Sequence, residues 1–135
     1  MPKGVPGFVP DWPVPSGVEA WQTCRGTGPL PYGGFNLGQH VGDDPAAVAA
    51  NRNQLLEIIP AQPLWLNQLH GTRVLELPVN ESDTSIDGDA VMTTAPGVVC
   101  AVMTADCLPV LLADKAGRVV GAAHAGWRGL AAGVL

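Results

Sequence analysis

Three side chains set far apart along the chain have the types needed to hold a metal ion. Cys107 stands in Thr104-Ala-Asp-Cys107-Leu-Pro, and His124 opens His124-Ala-Gly-Trp-Arg-Gly. His70 precedes a glycine in Leu-His70-Gly. Each is expected at the end of a strand, where a rigid platform passes into a loop that can carry function. Two imidazoles and one thiolate form a three-ligand set, the pattern of a catalytic zinc site with its fourth position open. The same donors suit copper. Each residue also has an ordinary reading: a free cysteine is commonly a buried packing group, and His124 alone reads equally well as a packed imidazole. For Cys107 the adjoining Asp106, the following Leu-Pro and the nearby histidine favour chemistry. Cys100 lies among apolar neighbours and Cys24 in a loop, so both read as structural.

The elements that must position these groups follow from patterning. Apolar runs at 98–105 and 108–113 read as strands, as does 118–124, with Asp114 to Gly117 as a four-residue hairpin loop. In that register Ala113 faces Arg118, Leu108 faces Ala123, and Cys107 faces His124. Strands are also expected at 18–24, from Trp65 towards His70, at 74–77 and at 90–93, with a polar loop from Asn80 to Gly88. The start, residues 1–17, is rich in proline and glycine and reads as an extended surface segment pinned by Trp12. Asp43 or Asp44 before Pro45 predicts a capped helix from Pro45 to Ile59, stopped by Pro60. Val48, Arg52, Leu55, Leu56 and Ile59 fall on one face of it. Arg52 is the odd member of that stripe: it must find an anion or carbonyl groups, or lie at the edge and reach water. A final helix is expected to begin at Gly129 and to be still uncapped at Leu135, which reads as the N-terminal part of a longer protein. The fold class is therefore α+β (α/β mixed), a mixed sheet with helices packed outside.

Composition narrows the function classes. The chain has 135 residues, 47% of them apolar and 14% charged, which favours one packed domain over disorder. Net charge is −5, and the 7 Lys and Arg residues are scattered. A nucleic-acid binder needs a clustered basic face, so that partner is set aside. No apolar run approaches the length of a membrane span, and the first residues lack a secretory signal's apolar core. Three cysteines without framework spacing point to a reducing compartment, with the cytoplasm as the default.

Five motifs stand out together: Asn36-Leu-Gly-Gln-His-Val-Gly-Asp-Asp-Pro, Asn51-Arg52, Trp65-Leu-Asn-Gln-Leu-His70-Gly, Thr104-Ala-Asp-Cys107-Leu-Pro-Val-Leu and His124-Ala-Gly-Trp-Arg-Gly-Leu. In combination they resemble the bacterial YfiH family, long labelled laccase-domain or polyphenol oxidase proteins and now described as purine nucleoside phosphorylases. The resemblance runs from about Trp12 to Leu135. It implies that 1–135 is the N-terminal portion of a single catalytic domain, with two sheets layered between helices. It further implies that His70, Cys107 and His124 bind zinc, with copper as the alternative. The implied reactions are phosphorolysis of adenosine, inosine, guanosine and methylthioadenosine, together with adenosine deamination. Asn36 and Arg52 align with polar residues expected near the nucleoside or phosphate. The stretch from Cys24 to Gly34 departs from the family's usual Thr-Arg-x-Gly-Gly pattern, which puts a substrate role for Arg25 in doubt.

The chemistry agrees with the residues. Phosphorolysis needs an anion held near the sugar, which a guanidinium can do bidentately; deamination needs an activated water, which a three-ligand zinc supplies. Competing readings are copper-dependent phenol oxidation, a metal-free Cys107–His124 hydrolase in which imidazole activates the thiol, and a non-catalytic interaction module. Three histidines, His40 being the third, are too few for the several copper motifs of a multicopper oxidase.

Overall fold

A computed structural model describes residues 4–79 and 86–135. Residues 1–3 and 80–85, which include most of the expected polar loop, lie outside the described residues. The chain divides into two compact units, one of Met1–Pro13 with Glu19–Pro60 and one of Val14–Val18 with Ala61–Leu135.

The first unit holds a two-stranded antiparallel ladder, β1 (Gly7–Phe8) and β2 (Gln22–Thr23), and the helix α1 (Pro45–Leu55). Asp44 caps α1 by accepting from the Ala46 N–H at 3.1 Å, and Pro45 occupies the first turn, as the Asp-Asp-Pro run predicts. The helix ends earlier than expected. The N–H groups of Glu57 and Ile58 turn back three residues, to Gln54 and Leu55, tightening the last turn before Pro60. Val48 and Leu55 are buried while Leu56 faces outward, so the apolar stripe is narrower than the sequence implies.

The second unit is built on a four-stranded mixed sheet: β3 (Val74–Leu77), β4 (Ala90–Thr93), β5 (Leu108–Ala113) and β6 (Val120–Ala125). The order is β3-β4-β6-β5, with β3 and β4 parallel and the other pairs antiparallel. This is the mixed α+β architecture expected. Leu66, Leu75, Leu77, Val91 and Ala122 form the buried cluster. The alternation in β3, exposed at Val74 and Glu76 and buried at Leu75 and Leu77, is that of a sheet covered on one face.

The hairpin register differs from expectation by two residues. Ala113 pairs with Val120, Leu108 with Ala125 and Pro109 with His124. Asp114 is the cause: its carboxylate accepts from the N–H groups of Arg118 (2.6 Å) and Val119 (3.1 Å), drawing both into the loop. A shift of two preserves side-chain alternation. Cys107, two residues before Pro109, therefore stays on His124's side.

The expected strand at 98–105 is not part of the sheet. Val98, Cys100 and Val102 keep the period of two and pack on the core cluster, but the segment is only half-buried. A side chain takes the place of a neighbouring strand: the Gln68 amide donates to the Met103 carbonyl at 2.6 Å and accepts from the Met103 N–H at 2.8 Å. The expected strand after Trp65 is likewise reduced to one bridge, Asn67 to Asp87. The final helix α2 (Trp127–Ala132) begins earlier than expected and is capped. Gly133, at φ 98°, takes the left-handed conformation, and the N–H groups of Gly133 and Val134 both return to the Gly129 carbonyl.

Candidate metal centre

β6 lies between β4 and β5, and its His124 is the pivot of the site. The β4–β6 register, extended one residue beyond Ala90–Ala123, sets Asp89 opposite His124. The His124 N–H donates to the Asp89 carbonyl at 2.7 Å. Their side chains meet on the same face, with His124 Nδ1 2.7 Å from Asp89 Oδ2. Both are buried, at 4% and 1% exposure. An ionised carboxylate can only accept, so Nδ1 is the nitrogen that donates to it, and in the neutral ring Nε2 then has the lone pair for a ligand.

His70 comes from the turn after Gln68, with a left-handed backbone at φ 62°. Such a conformation is uncommon for a residue with a Cβ. Here the N–H groups of Leu69, His70 and Gly71 all donate to the Asp89 carboxylate, at 3.0, 2.9 and 2.9 Å. This is the concave run of amides that holds an anion. Burial pushes the Asp89 carboxyl up, but the His124 contact and the three backbone donors outweigh it, and the net shift is downward.

Cys107 lies just before β5, half-buried, with Sγ 3.8 Å from His70 Nε2 and 3.8 Å from Asp106 Oδ1. The His70 and His124 rings meet edge to face, their centroids 4.8 Å apart. One ligand atom from each of His70, Cys107 and His124 lies within 4.8 Å of the other two. The structure thus brings together the three residues singled out in the sequence. Zinc bonds of about 2.0 Å to nitrogen and 2.3 Å to sulfur separate tetrahedral ligands by about 3.5 Å. The Cys107–His70 spacing is close to that, and a carboxylate behind a ligating imidazole is the usual partner in zinc sites. On donor chemistry the residues fit the ion.

Without a metal the Cys107 thiol is pushed up from its ordinary range, first by burial and then by the charges of Asp106 and Asp89. A shallow recess of about 370 Å³ opens beside the sulfur, walled by Leu108, Ala125, Trp127 and Leu130. Trp127 is 76% exposed, and the Arg128 guanidinium lies 5.2 Å from its ring centre.

Asn36 and Arg52 belong to the first unit. Asn36 ties its own loop: Oδ1 accepts from the Gly38 N–H, while Nδ2 donates to the Gly38 carbonyl at 3.0 Å and to Asp43 at 3.3 Å. Arg52, half-buried, donates from Nε to the Leu37 carbonyl at 2.9 Å, and its burial lowers its pKa. Asp89 is the site residue that sequence reasoning missed. Its one visible signal is an acid placed directly before the apolar strand at Ala90.

Residues 19–135 match the family described as multi-copper polyphenol oxidoreductase laccase. The chain belongs to this family. Among its laccase-family relatives, the Escherichia coli protein named purine nucleoside phosphorylase YfiH is 52% identical over 132 residues, covering 95% of this chain and 54% of the relative. A Haemophilus influenzae protein named purine nucleoside phosphorylase is 50% identical over 130 residues, with coverage of 93% and 52%. A crystal structure of a Neisseria meningitidis protein superposes with a TM-score of 0.83 at 46% identity, covering 95% of this chain and 53% of that one. YlmD from Geobacillus stearothermophilus gives 0.76 at 30% identity, with coverage of 96% and 56%. The chain spans about half the length of these relatives. Among the described residues no helix is long and apolar enough to cross a membrane.

Proposed function

We propose that this laccase-family chain carries the metal-binding half of a purine nucleoside phosphorylase, with His70, Cys107 and His124 as the ligands of a zinc ion. The observation that carries the reading is the convergence of the three donor atoms within 4.8 Å. The name of the relatives, purine nucleoside phosphorylase, supplies the reaction class. A zinc ion held there would supply Lewis-acid activation of water, the chemistry that adenosine deamination requires. The chain's own groups do the rest. His124, held at Nδ1 by Asp89, would offer the Nε2 lone pair of its neutral ring to the ion. The apolar wall beside Cys107, with the exposed Trp127 face, offers a stacking surface for a purine ring. Arg52, and with it Asn36, serves phosphate or nucleoside. Support for Arg52 is its anchored guanidinium: the Nε bond to Leu37 fixes the plane of a group suited to bidentate anion contact.

The proposed substrates are adenosine, inosine, guanosine and methylthioadenosine, with phosphate as the second substrate, in the bacterial cytoplasm. The test is to incubate the full-length protein with adenosine and phosphate, with and without chelator, and to follow ribose-1-phosphate and inosine. Chelator-sensitive release of both products is expected. Turnover indifferent to chelator would remove the metal from the reading.

The family's description favours a second reading, copper-dependent oxidation of phenols. Phenol oxidation that depends on copper, with no ribose-1-phosphate formed, would select it. The metal-free cysteine hydrolase is disfavoured by the site's electrostatics. Burial, Asp106 and Asp89 all hold the Cys107 proton on, where such an enzyme needs a thiolate.

A further inference from the structure

One carboxylate touches two of the three donor residues and does so differently for each. Asp89 Oδ2 receives both the His124 Nδ1 proton (2.7 Å) and the His70 N–H (2.9 Å). Oδ1 receives the N–H groups of Leu69 (3.0 Å) and Gly71 (2.9 Å). Resting on the metal reading above, we propose that Asp89 is the positioning residue of the centre. It fixes the tautomer of His124 and, through the amides of 69–71, the left-handed turn that presents His70.

Both effects follow from the contacts. Neutral imidazole places its one proton on either nitrogen, and the hydrogen bond made by the far nitrogen decides which. An acceptor-only group at Nδ1 leaves Nε2 with its lone pair. The turn at His70 would otherwise bring three backbone N–H groups together without a partner; a buried anion satisfies all three at once. The close pairing of Gly71 and α2 holds the turn from the other side. A Cβ on Gly129 would stand 3.1 Å from the Gly71 carbonyl oxygen, so a larger residue there would press the helix or the turn back by a few tenths of an ångström.

The isosteric variant Asp89→Asn separates this role from mere packing. An asparagine has one acceptor and one double donor in the space of two acceptors. If its oxygen takes the Oδ2 place, the NH2 group confronts the fixed N–H groups of Leu69 and Gly71. If its oxygen takes the Oδ1 place, the NH2 confronts only the His70 N–H and His124. His124 can relieve its part of that conflict by moving its proton from Nδ1 to Nε2. The second arrangement has the fewer opposed donors, so the variant should carry His124 in the tautomer that cannot ligate through Nε2.

The experiment uses full-length protein freed of metal. Nitrogen-15 NMR of the imidazoles reads the His124 tautomer in wild type and in D89N, and zinc affinity is measured by competition with a chromophoric chelator. Expected are the Nδ1–H form in wild type, the Nε2–H form in D89N, and a zinc affinity lower by 10- to 100-fold in the variant. A variant with unchanged tautomer and unchanged affinity overturns the proposal. Should D89N fail to fold, the wild-type tautomer decides alone: Nε2–H in the wild type overturns the proposal, and Nδ1–H supports it. Failure of wild type to bind zinc, copper or cobalt would instead count against the metal reading. It would leave the tautomer result standing.

Discussion

Gly126 and Cys107 pack so closely that a Cβ placed on Gly126 would lie 2.9 Å from the Cys107 sulfur and 3.3 Å from Cδ2 of His70. Gly126 has φ −64° and ψ 165°, a backbone conformation open to any residue, so it is space and not flexibility that its missing side chain supplies. Gly126→Ala should therefore fold. The Cys107 side chain has one torsion with which to escape, and using it carries the sulfur away from His70. Zinc affinity should fall by more than tenfold while the circular dichroism spectrum is retained, as read by chelator competition. Wild-type affinity in the variant would mean that the sulfur does not need its present position.

The division between what was legible and what was not follows the range of the interactions. Residue type and placement at the ends of apolar runs single out His70, Cys107 and His124, with a glycine directly beside His70 alone. The Asp-Asp-Pro cap marks the start of α1. Strand pairing was less legible because it depends on side chains acting at a distance. Asp114 drew two more residues into the hairpin loop than its glycine suggested. Gln68 occupied the backbone of Met103, so an apolar run with strand alternation stayed outside the sheet. Asp89 is obscure for the same reason. Its local signal is only an acid before the strand at Ala90, and its meaning lies in the register that sets it opposite His124.

Arg52 gives a prediction about phosphate. Its Nε is committed to the Leu37 carbonyl, so the guanidinium is held in one plane. Arg52→Lys keeps the charge but loses the planar fork, which matters where an anion is gripped at two points. In the full-length enzyme the KM for phosphate should rise by on the order of tenfold, with the KM for nucleoside changed far less. Equal effects on the two substrates would assign Arg52 to the helix and its loop instead of to phosphate.

The three cysteines should separate in an alkylation experiment. Burial pushes the Cys100 thiol up to about 11, which leaves roughly one molecule in a thousand as thiolate at pH 8. Cys24 is exposed, whereas Cys107 is half-buried beside the two histidines. With iodoacetamide at pH 8, Cys24 should be labelled first whether or not metal is present. Cys107 should be labelled slowly, and only after chelation, while Cys100 should remain unlabelled until the protein is denatured. Peptide mass spectrometry reads all three. Chelator-independent labelling of Cys107 would count against its role as a ligand.

Asp114 makes the hairpin that carries β5 and β6 sensitive to acid. The Val119 N–H, as the largest influence, lowers its carboxyl pKa; burial pushes the other way, and the backbone and side chain of Arg118 add to the lowering. A carboxyl held lower in the folded state than in the unfolded chain stabilises the fold above its unfolded value, and that contribution disappears as pH falls through the folded value. Asp114→Ala should thus melt below wild type at pH 6, and the gap should close as the pH is lowered past about 4, the ordinary aspartate range. Thermal melts at intervals between pH 6 and pH 2.5 measure the gap directly. A gap independent of pH would show that the Asp114 carboxylate's charge adds nothing to the loop. In that case the two-residue shift in register would need a cause other than the contacts to Arg118 and Val119.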